Sequence, residues 1–385
     1  MHPRGIVKIT MWAVGVVCFV AWCKAGLAEP LPRATQEILK KLNLNSSILS
    51  GLDDELRMPG ELIESAKKEG ALRFTSTLGR AEADKMFAPF RERYPFIRDI
   101  KTVRTTRTER VKTLIAFRSG RIITDVQTAM GGLMYDFKKA NALERLSDLP
   151  TFKNLPDGAK DPAGLWAGIE TNFWCMAYNK NLVNEKDLPR WDDLVTNPIW
   201  GGGNLALGNR PELWALPLWT ALGEEWAKNF LTRLFSEAQP QLRKEGMNAL
   251  TELLAAGEFH AVLPQTQSHV LQTAGAGAPV GFHCPDPVPG TVVDTVVIKG
   301  AENANAAKLF MNWVLSKEGQ IAQYFATDSV PVHKDLMRKE FIPLGEEVVG
   351  KSVSYRVDEL EMRQKVADFW NDLWLTRSGS PAHRR

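Results

Sequence analysis

Arginine side chains in two segments are the strongest candidates for ligand chemistry in this chain of 385 residues. The run RTTRTER carries Arg104, Arg107 and Arg110, and Arg210 follows a Gly-Asn pair. A guanidinium group donates hydrogen bonds from a planar fork that matches a carboxylate or a phosphate. We therefore predict that Arg107 or Arg104, together with Arg210, binds a small organic or phosphorus-containing anion. The alternative for the run is a solvated helix start, because arginine is usually exposed.

Hydroxyl and amide side chains follow several predicted strands, where the free N–H groups of the next helix would point toward a ligand. Each hydroxyl has a second interpretation as the N-cap of that helix. Trp174 lies in the same group of segments and could stack on a ligand, although most tryptophans here are expected to pack in a core. The predicted ligand-binding residues are Thr75, Ser76, Thr77, Arg107, Thr128, Thr171, Asn172, Asn209, Arg210, Gln265, Thr266 and His283.

Motifs of common enzyme classes are missing from the sequence. It contains no GxSxG elbow, HExxH pair, Walker loop or CxxC pair. Asp192 and Asp193 are adjacent, and adjacent residues on a helix point apart. We therefore expect no catalytic residues, no cofactor and no enzyme activity. An enzyme that uses an unrecognised group of residues is the alternative.

Cysteine and histidine provide little evidence for a metal or redox site. Cys175 and Cys284 are far apart in sequence and lack metal-site spacing. An oxidising compartment would permit a disulfide, but the favoured interpretation is two buried thiols, because free cysteine is commonly buried. His269 and His283 could bind a metal, yet a lone histidine is more often structural, so we predict no metal site.

Strand and helix patterns alternate along the chain in two units, separated by a Pro- and Gly-rich connector at 148–164. This alternation predicts an α/β fold with a parallel, doubly wound sheet in each unit. Extended segments that cross between the units would leave a ligand cleft between them. The first unit has predicted strands at 71–76, 100–104 and 125–129 with helices at 60–69, 82–94 and 109–118. The second has a strand at 166–178 and helices at 211–222 and 242–256, and a long helix at 357–375 closes the chain.

The N-terminal segment has the pattern of a cleaved secretory signal. Arg4 and Lys8 precede an apolar run at 9–22, which is shorter than the roughly 20 residues of a membrane-spanning helix. Small residues then place a cleavage site after Ala28. Removing 1–28 would remove three basic residues and lower the formal net charge from +3 to zero. A neutral chain has no net basic field for nucleic acid or anionic lipid, so we expect neither as a partner.

Five segments, in order, give the sequence its resemblance to a known family. AKKEGAL (66–72), DVQTA (125–129), MAYNKNLV (176–183), LPRWDDLVTNPIWGGG (188–203) and KGAENANAAKLFMNWVLSKEGQIA (299–322) occur where similar segments occur in that family. The chain resembles the extracellular solute-binding proteins of ABC importers, in the group that includes the ferric-iron binders.

The resemblance implies a two-lobed protein that closes around a small solute and delivers it to an ABC permease in the inner membrane. By this likeness the first lobe holds 45–166 and 288–325, the second holds 167–287 and 326–377, and 378–385 is a disordered tail. Crossing residues between the lobes would act as a hinge. We expect a periplasmic monomer. A periplasmic sensor that presents its ligand to a receptor is an alternative with the same lobes.

Iron is a less favoured ligand, because the sequence departs from the pattern of many ferric-binding relatives. Those relatives use adjacent tyrosines in a segment that here reads LPQTQSHVLQ (263–272). Neutral amides are poor ligands for a hard ferric ion, which prefers anionic oxygen. The five tyrosines, none adjacent to another, are Tyr94, Tyr135, Tyr178, Tyr324 and Tyr355.

Overall fold

The elements of the fold are given by a computed structural model, which describes residues 30–106, 109–342, 352–353 and 360–377. The helices are α1 (Arg33–Lys41), α2 (Leu52–Glu55), α3 (Gly60–Glu69), α4 (Arg80–Arg93), α5 (Val111–Arg118), α6 (Met134–Lys139), α7 (Asp193–Thr196), α8 (Pro211–Leu222), α9 (Glu224–Arg233), α10 (Met247–Ala255), α11 (Gln267–Gly275), α12 (Ala304–Val314), α13 (Lys317–Thr327) and α14 (Leu360–Arg377). The strands are β1 (Ala71–Ser76), β2 (Asp99–Arg104), β3 (Val126–Thr128), β4 (Ala167–Asn179), β5 (Leu205–Gly208), β6 (Gln241–Arg243), β7 (Ala261–Thr266), β8 (Val280–His283), β9 (Val288–Val297) and β10 (Ser352–Val353).

These strands form one mixed sheet in the order β2-β1-β3-β9-β4-β7-β5-β6, with β8 beside β4 and β10 beside β9. Strands β1, β2 and β3 are parallel to one another, and so are β5, β6 and β7. The long strands β9 and β4 lie antiparallel between the two parallel groups. The predicted α/β fold is confirmed, and the segments that cross between the units are the antiparallel strands.

Strand β4 passes from one parallel group to the other near Phe173. Up to the pair Phe173–Gly290 it runs beside β9, whereas Trp174 pairs with Thr266 of β7. We call the first lobe β1, β2 and β3, the segments 109–118 and 129–139 that follow β2 and β3, and the packed helices α1, α3, α4, α12 and α13. The second lobe consists of β5 to β8 with α8 to α11 and α14. The exact residue boundaries given above for the lobes stay predictions.

Aromatic rings hold the helices of the first lobe to its strands. Gly70 ends α3 in the left-handed region (φ 59°), so β1 starts at once. Phe74 of β1 is buried, and its ring centroid lies 5.4 Å from that of Phe87 in α4 and 5.3 Å from that of Phe310 in α12. Such contacts add to the stabilisation from burial alone.

Tryptophans form the core of the second lobe. Trp191 and Trp214 stack with centroids 5.7 Å apart, and Trp370 of α14 meets Trp214 edge-on at 5.9 Å. Trp200 and Trp219 are also fully buried in this core. Through these contacts the C-terminal helix α14 packs on α8. They also confirm the prediction that most tryptophans of this region pack in a core.

The structure differs from the predicted elements at two places. It contains helix α1, which no predicted element covers, and Ile38 and Leu39 of this helix are buried in the first-lobe core. The predicted helix at 242–256 begins too early, because Gln241–Arg243 pairs with β5 as a strand. Gly246 then stands in an extended conformation directly before α10.

Cys175 and Cys284 form a disulfide, with their Cα atoms 4.9 Å apart. The prediction of two buried thiols is therefore wrong. Cys175 is buried on β4 and Cys284 directly follows β8. Because β8 pairs with β4, the two cysteines are brought together by the sheet despite a sequence separation of 109 residues.

Several predicted features fall outside the described ranges. These are the signal peptide at 1–28, Arg107 and the tail at 378–385. Within the described ranges, the helices are all too short or too polar to span a bilayer.

Candidate functional site

A cavity of about 640 Å³ lies beside the crossing strands β4 and β9 and is lined by both lobes. Its size is that of a small-molecule site. The first-lobe wall is formed by Arg110 and the turn at 129–133, and the second-lobe wall by Arg210 and the start of α8. The polar side chains that line it are Thr77, Arg110, Glu170, Asn172, Arg210, Glu212, Thr291, Asp294 and Arg363.

Asp294 of β9 shapes the first-lobe wall. Its carboxylate is buried and accepts hydrogen bonds from the backbone N–H of Met130, at 3.0 Å, and of Gly131, at 3.3 Å. Gly131 has φ 54°, a conformation that favours glycine. Burial raises the pKa of Asp294 to about 6, although these N–H groups and the charge of Arg110 oppose the shift. The guanidinium of Arg110 in turn donates to the carbonyl of Ala129.

The floor of the cavity is the crossing strand β4. Burial raises the pKa of Glu170, and the opposing hydrogen bond from Gln323 Nε2 (2.5 Å to Oε2) fixes this carboxyl against α13. Asn172 Nδ2 donates to the other Glu170 oxygen at 3.4 Å. Trp174 is half-buried, and its indole N–H donates to Thr291 Oγ1 at 2.6 Å. The indole orientation is therefore set before any ligand enters.

Arg210 is the main cation of the second-lobe wall. It stands directly before α8, and its Nη1 lies 3.5 Å from the carbonyl oxygen of Glu245. Among the residues that the structure describes, no carboxylate forms an ion pair with Arg210. The positive end of the α8 dipole adds to its charge. The half-buried guanidinium of Arg210 could therefore donate further hydrogen bonds to an anion that enters the cavity.

Arg363 enters the cavity from the C-terminal helix α14. A Cβ atom placed on Gly132 would lie 3.2 Å from its Nη2 and 3.3 Å from its Nε. The guanidinium of this second-lobe residue therefore lies against the backbone of the first-lobe turn. Sequence reasoning missed Arg363, Asp294 and Glu170, and it passed over Arg110 in favour of its neighbours.

Of the predicted site residues, Thr77, Asn172 and Arg210 line the cavity. The remaining first-lobe residues of the set have other surroundings. Thr75 Oγ1 is buried 2.9 Å from Thr124 Oγ1, and Ser76 Oγ accepts the N–H of Leu78. Thr128 is buried on β3 opposite Thr295 of β9. Arg107 is outside the described residues.

The other predicted residues of β4 and the second lobe do not line this cavity. Thr171 lines a separate cavity of about 130 Å³, and Asn209 Oδ1 accepts the indole N–H of Trp370 at 2.7 Å. Gln265 Nε2 donates to the carbonyl of Met247 at 3.1 Å, and Thr266 caps α11. His283 Nε2 lies 2.8 Å from the carbonyl oxygen of Pro189, and burial lowers its pKa.

Possible metal ligands at the cavity are the carboxylates of Glu170, Glu212 and Asp294. The described lining residues include no tyrosine, histidine or cysteine.

Glu55, His333 and Asp335 form a separate acidic and histidine cluster in the described ranges. Lys317 Nζ lies 3.4 Å from Glu55 Oε1 and 3.4 Å from Asp335 Oδ2. This ammonium group already supplies a cation to the cluster, so we treat the cluster as structural.

The sequence is similar to those of known bacterial proteins. The sequence model of a family described as "Bacterial extracellular solute-binding protein" matches residues 126–343, more than half of the chain. Iron uptake protein A1 of Synechocystis sp. is 26% identical over 207 aligned residues, and the match covers 48% of this chain. The matched stretch spans 56% of that relative, little more than half its length.

Solved structures share the two-lobed fold at low sequence identity. Iron-bound HitA from Pseudomonas aeruginosa is 18% identical with a TM-score of 0.61, covering 79% of this chain and 99% of that one. FutA (IdiA) from Trichodesmium, in complex with iron and citrate, has 18% identity, a TM-score of 0.64 and the same two coverages. AfuA from Actinobacillus pleuropneumoniae, with bound fructose-6-phosphate, has 18% identity and a TM-score of 0.62, covering 78% and 98%.

Proposed function

This chain belongs to the bacterial extracellular solute-binding protein family, and we propose that it captures a small organic or phosphorus-containing anion for an ABC importer. The observation that carries this proposal is Arg210, a half-buried cation at the start of a helix in a cavity of about 640 Å³. Arg110 lines the facing first-lobe wall. An anion bound between them would contact both lobes.

Capture would proceed by closure of the lobes about their crossing strands. β4 changes partners at Phe173–Trp174, and β9 pairs with strands on both of its sides. Short segments of this kind can absorb the backbone rotation of a hinge. An anion that contacts both lobes favours the closed state, because closure adds interactions that the open state lacks.

The proposed place of action is the periplasm, after removal of 1–28, with an ABC permease as partner. Delivery to a permease needs neither catalysis nor nucleic acid, and a monomer suffices for it. The extracellular character of the family supports this placement.

Replacing Arg210 tests the proposal. We expect Arg210→Ala to weaken anion binding about 10- to 100-fold, because a hydrogen bond to a charged group contributes roughly 1.5–3 kcal/mol. Thermal shift would first screen citrate, methylphosphonate, glycerol 3-phosphate, glutamate and spermidine, and calorimetry would then give Kd for the anion that binds. A ligand at 100 times its Kd should stabilise the protein by about 2.7 kcal/mol.

Arg190→Ala is the matched control, because Arg190 is an exposed second-lobe arginine paired with Asp193. It should leave Kd unchanged. Equal Kd values for the wild-type protein and Arg210→Ala would contradict the assignment of Arg210. No stabilisation by citrate, methylphosphonate, glycerol 3-phosphate or glutamate would contradict anion capture itself.

Iron capture is the second candidate, supported by the names of several relatives and by the three carboxylates in the cavity. An anionic ferric complex would suit the arginines better than a bare ferric ion, since the lining lacks tyrosine. Parallel titrations with citrate, ferric citrate and zinc separate the two candidates. Binding of ferric citrate without binding of citrate would favour iron.

A further inference from the structure

The C-terminal helix α14 contributes the charged side chain of Arg363 to the cavity. This helix lies outside the five segments that give the sequence its family resemblance. We infer that Arg363 is a specificity-determining residue that binds the anionic group of the captured solute. This inference rests on the proposed function, because it assigns a residue to the same cleft. Its basis is the placement of α14, the contact with Gly132 and the lining of two adjoining cavities.

The placement of Arg363 follows from helix geometry. Val366 and Trp370 are buried in the second-lobe core, three and seven residues after Arg363. Residues at these spacings lie on one face of a helix. The face that packs on α8 therefore also carries Arg363 toward the start of α8, where Arg210 stands. Trp370 strengthens this register through its 2.7 Å bond to Asn209, the residue before Arg210.

Gly132 explains how a second-lobe guanidinium can approach the first-lobe turn so closely. The Arg363 Cζ atom lies 3.5 Å from the place of a Gly132 Cβ, and Nη2 lies at 3.2 Å. A Cβ atom at position 132 would be closer to the guanidinium than an ordinary contact, so the guanidinium would have to shift by a few tenths of an ångström. Glycine at this position thus lets the guanidinium lie close to the turn at the edge of the cavity.

A second, smaller cavity of about 240 Å³ adjoins the first. Gly132, Glu212 and Arg363 line both cavities. Arg363 therefore stands at the boundary between them, where it can contact a solute in the larger cavity and limit how far the solute extends. This position suits a residue that selects ligands by charge and by length.

The experiment compares Arg363→Gln, Arg363→Lys and the control Lys365→Gln. Lys365 is on the same helix, is exposed and pairs with Glu224, so its replacement removes the same charge outside the cavity. Calorimetry would measure Kd for whichever of citrate, methylphosphonate and glycerol 3-phosphate binds the wild-type protein most tightly. We expect Arg363→Gln to raise Kd about 10- to 100-fold, Arg363→Lys to recover part of the loss and Lys365→Gln to have no effect.

A double-mutant cycle with Gly132→Ala separates ligand contact from a purely structural role. Gly132→Ala should raise Kd in the wild-type background, where it displaces the guanidinium, and much less in the Arg363→Gln background. Additive effects in the cycle would overturn the inference. So would a Kd for Arg363→Gln within twofold of wild type, or an equal loss in Lys365→Gln. Wild-type protein that binds none of the three anions and no other anion of the screen would instead overturn the proposed function and this inference together.

Discussion

At the scale of single residues, Asp294 shows how one buried carboxyl organises the wall of a cavity. It holds the turn at Met130–Gly131 through two backbone hydrogen bonds, and it sits within the electrostatic reach of Arg110. Burial nevertheless dominates, so its pKa rises from 3.8 to about 6. The folded state therefore disfavours the ionised carboxylate, and stability must depend on pH in this range.

The sign of this dependence can be tested with Asp294→Asn. Between about pH 4 and 6 the folded protein holds more protons than the unfolded chain, so the contribution of Asp294 to stability falls as pH rises. The pKa change from 3.8 to about 6 corresponds to about 3 kcal/mol. Urea unfolding from pH 4 to 8 should show the wild-type protein losing stability relative to Asp294→Asn over this window. Asp53→Asn is the control, because Asp53 is exposed, and its stability should follow that of the wild type at every pH. If Asp294→Asn also followed the wild type, the Asp294 carboxyl would not titrate in this range.

At the scale of elements, four helices of the first-lobe side meet at Glu318 of α13. Its carboxylate accepts two bonds from Arg93 of α4, at 2.7 and 2.9 Å. Thr35 of α1 donates at 2.6 Å and Trp313 of α12 at 2.8 Å. Both charged groups are nearly inaccessible to water. Their pairing therefore joins helices that are far apart in the sequence.

Removing the charge of Glu318 should destabilise the fold strongly. Glu318→Gln removes the buried charge that pairs with the Arg93 guanidinium, so we expect a loss of about 3 to 5 kcal/mol in the free energy of unfolding. Urea denaturation would measure it. Glu64→Gln, which breaks the exposed pair with Lys67, should change stability by less than about 1 kcal/mol. Equal effects of the two substitutions would contradict the role of Glu318.

Local patterns predicted the elements well, and long-range packing decided what they missed. The helix predicted at 60–69 and the strand predicted at 71–76 match α3 and β1, because Gly70 ends the helix and the pattern on either side of it is local. Helix α1 depends on contacts such as Thr35 to Glu318, 283 positions away, which no local pattern contains. Arg363 was missed for the same reason. Its position at the cavity depends on how α14 packs on the second lobe, for example through the bond from Trp370 to Asn209, which are 161 positions apart. Arg210 could be predicted because its cause, a turn before a helix, is local.

At the scale of the whole molecule, the disulfide constrains the region where the lobes join. Cys175 follows Trp174, at the point where β4 takes up its second-lobe partners, and Cys284 lies between β8 and β9. The bond closes a loop of about 109 residues that contains most of the second lobe. A covalent link of this kind fits export into an oxidising compartment.

Loss of the disulfide should lower global stability. In the chain-entropy description, closing a loop of this length stabilises the fold by about 4 to 5 kcal/mol. We expect the double variant Cys175→Ala/Cys284→Ala to melt well below the wild type in non-reducing buffer. Reductant should lower the wild-type Tm toward that of the variant and leave the variant unchanged. A wild-type Tm that is insensitive to reductant, in protein whose thiols are shown to be free, would contradict this prediction.

Trp174 gives the cleft a built-in optical reporter. Of the tryptophans that the structure describes, it lines the cavity, whereas Trp200, Trp214 and Trp219 are sealed in the second-lobe core. Emission from the sealed indoles should be blue-shifted and indifferent to solute. The signal of capture is therefore a small change on a large constant background, and comparison with Trp174→Phe would isolate it. The occupancy of the cleft can then be followed in millisecond mixing experiments without attaching a dye.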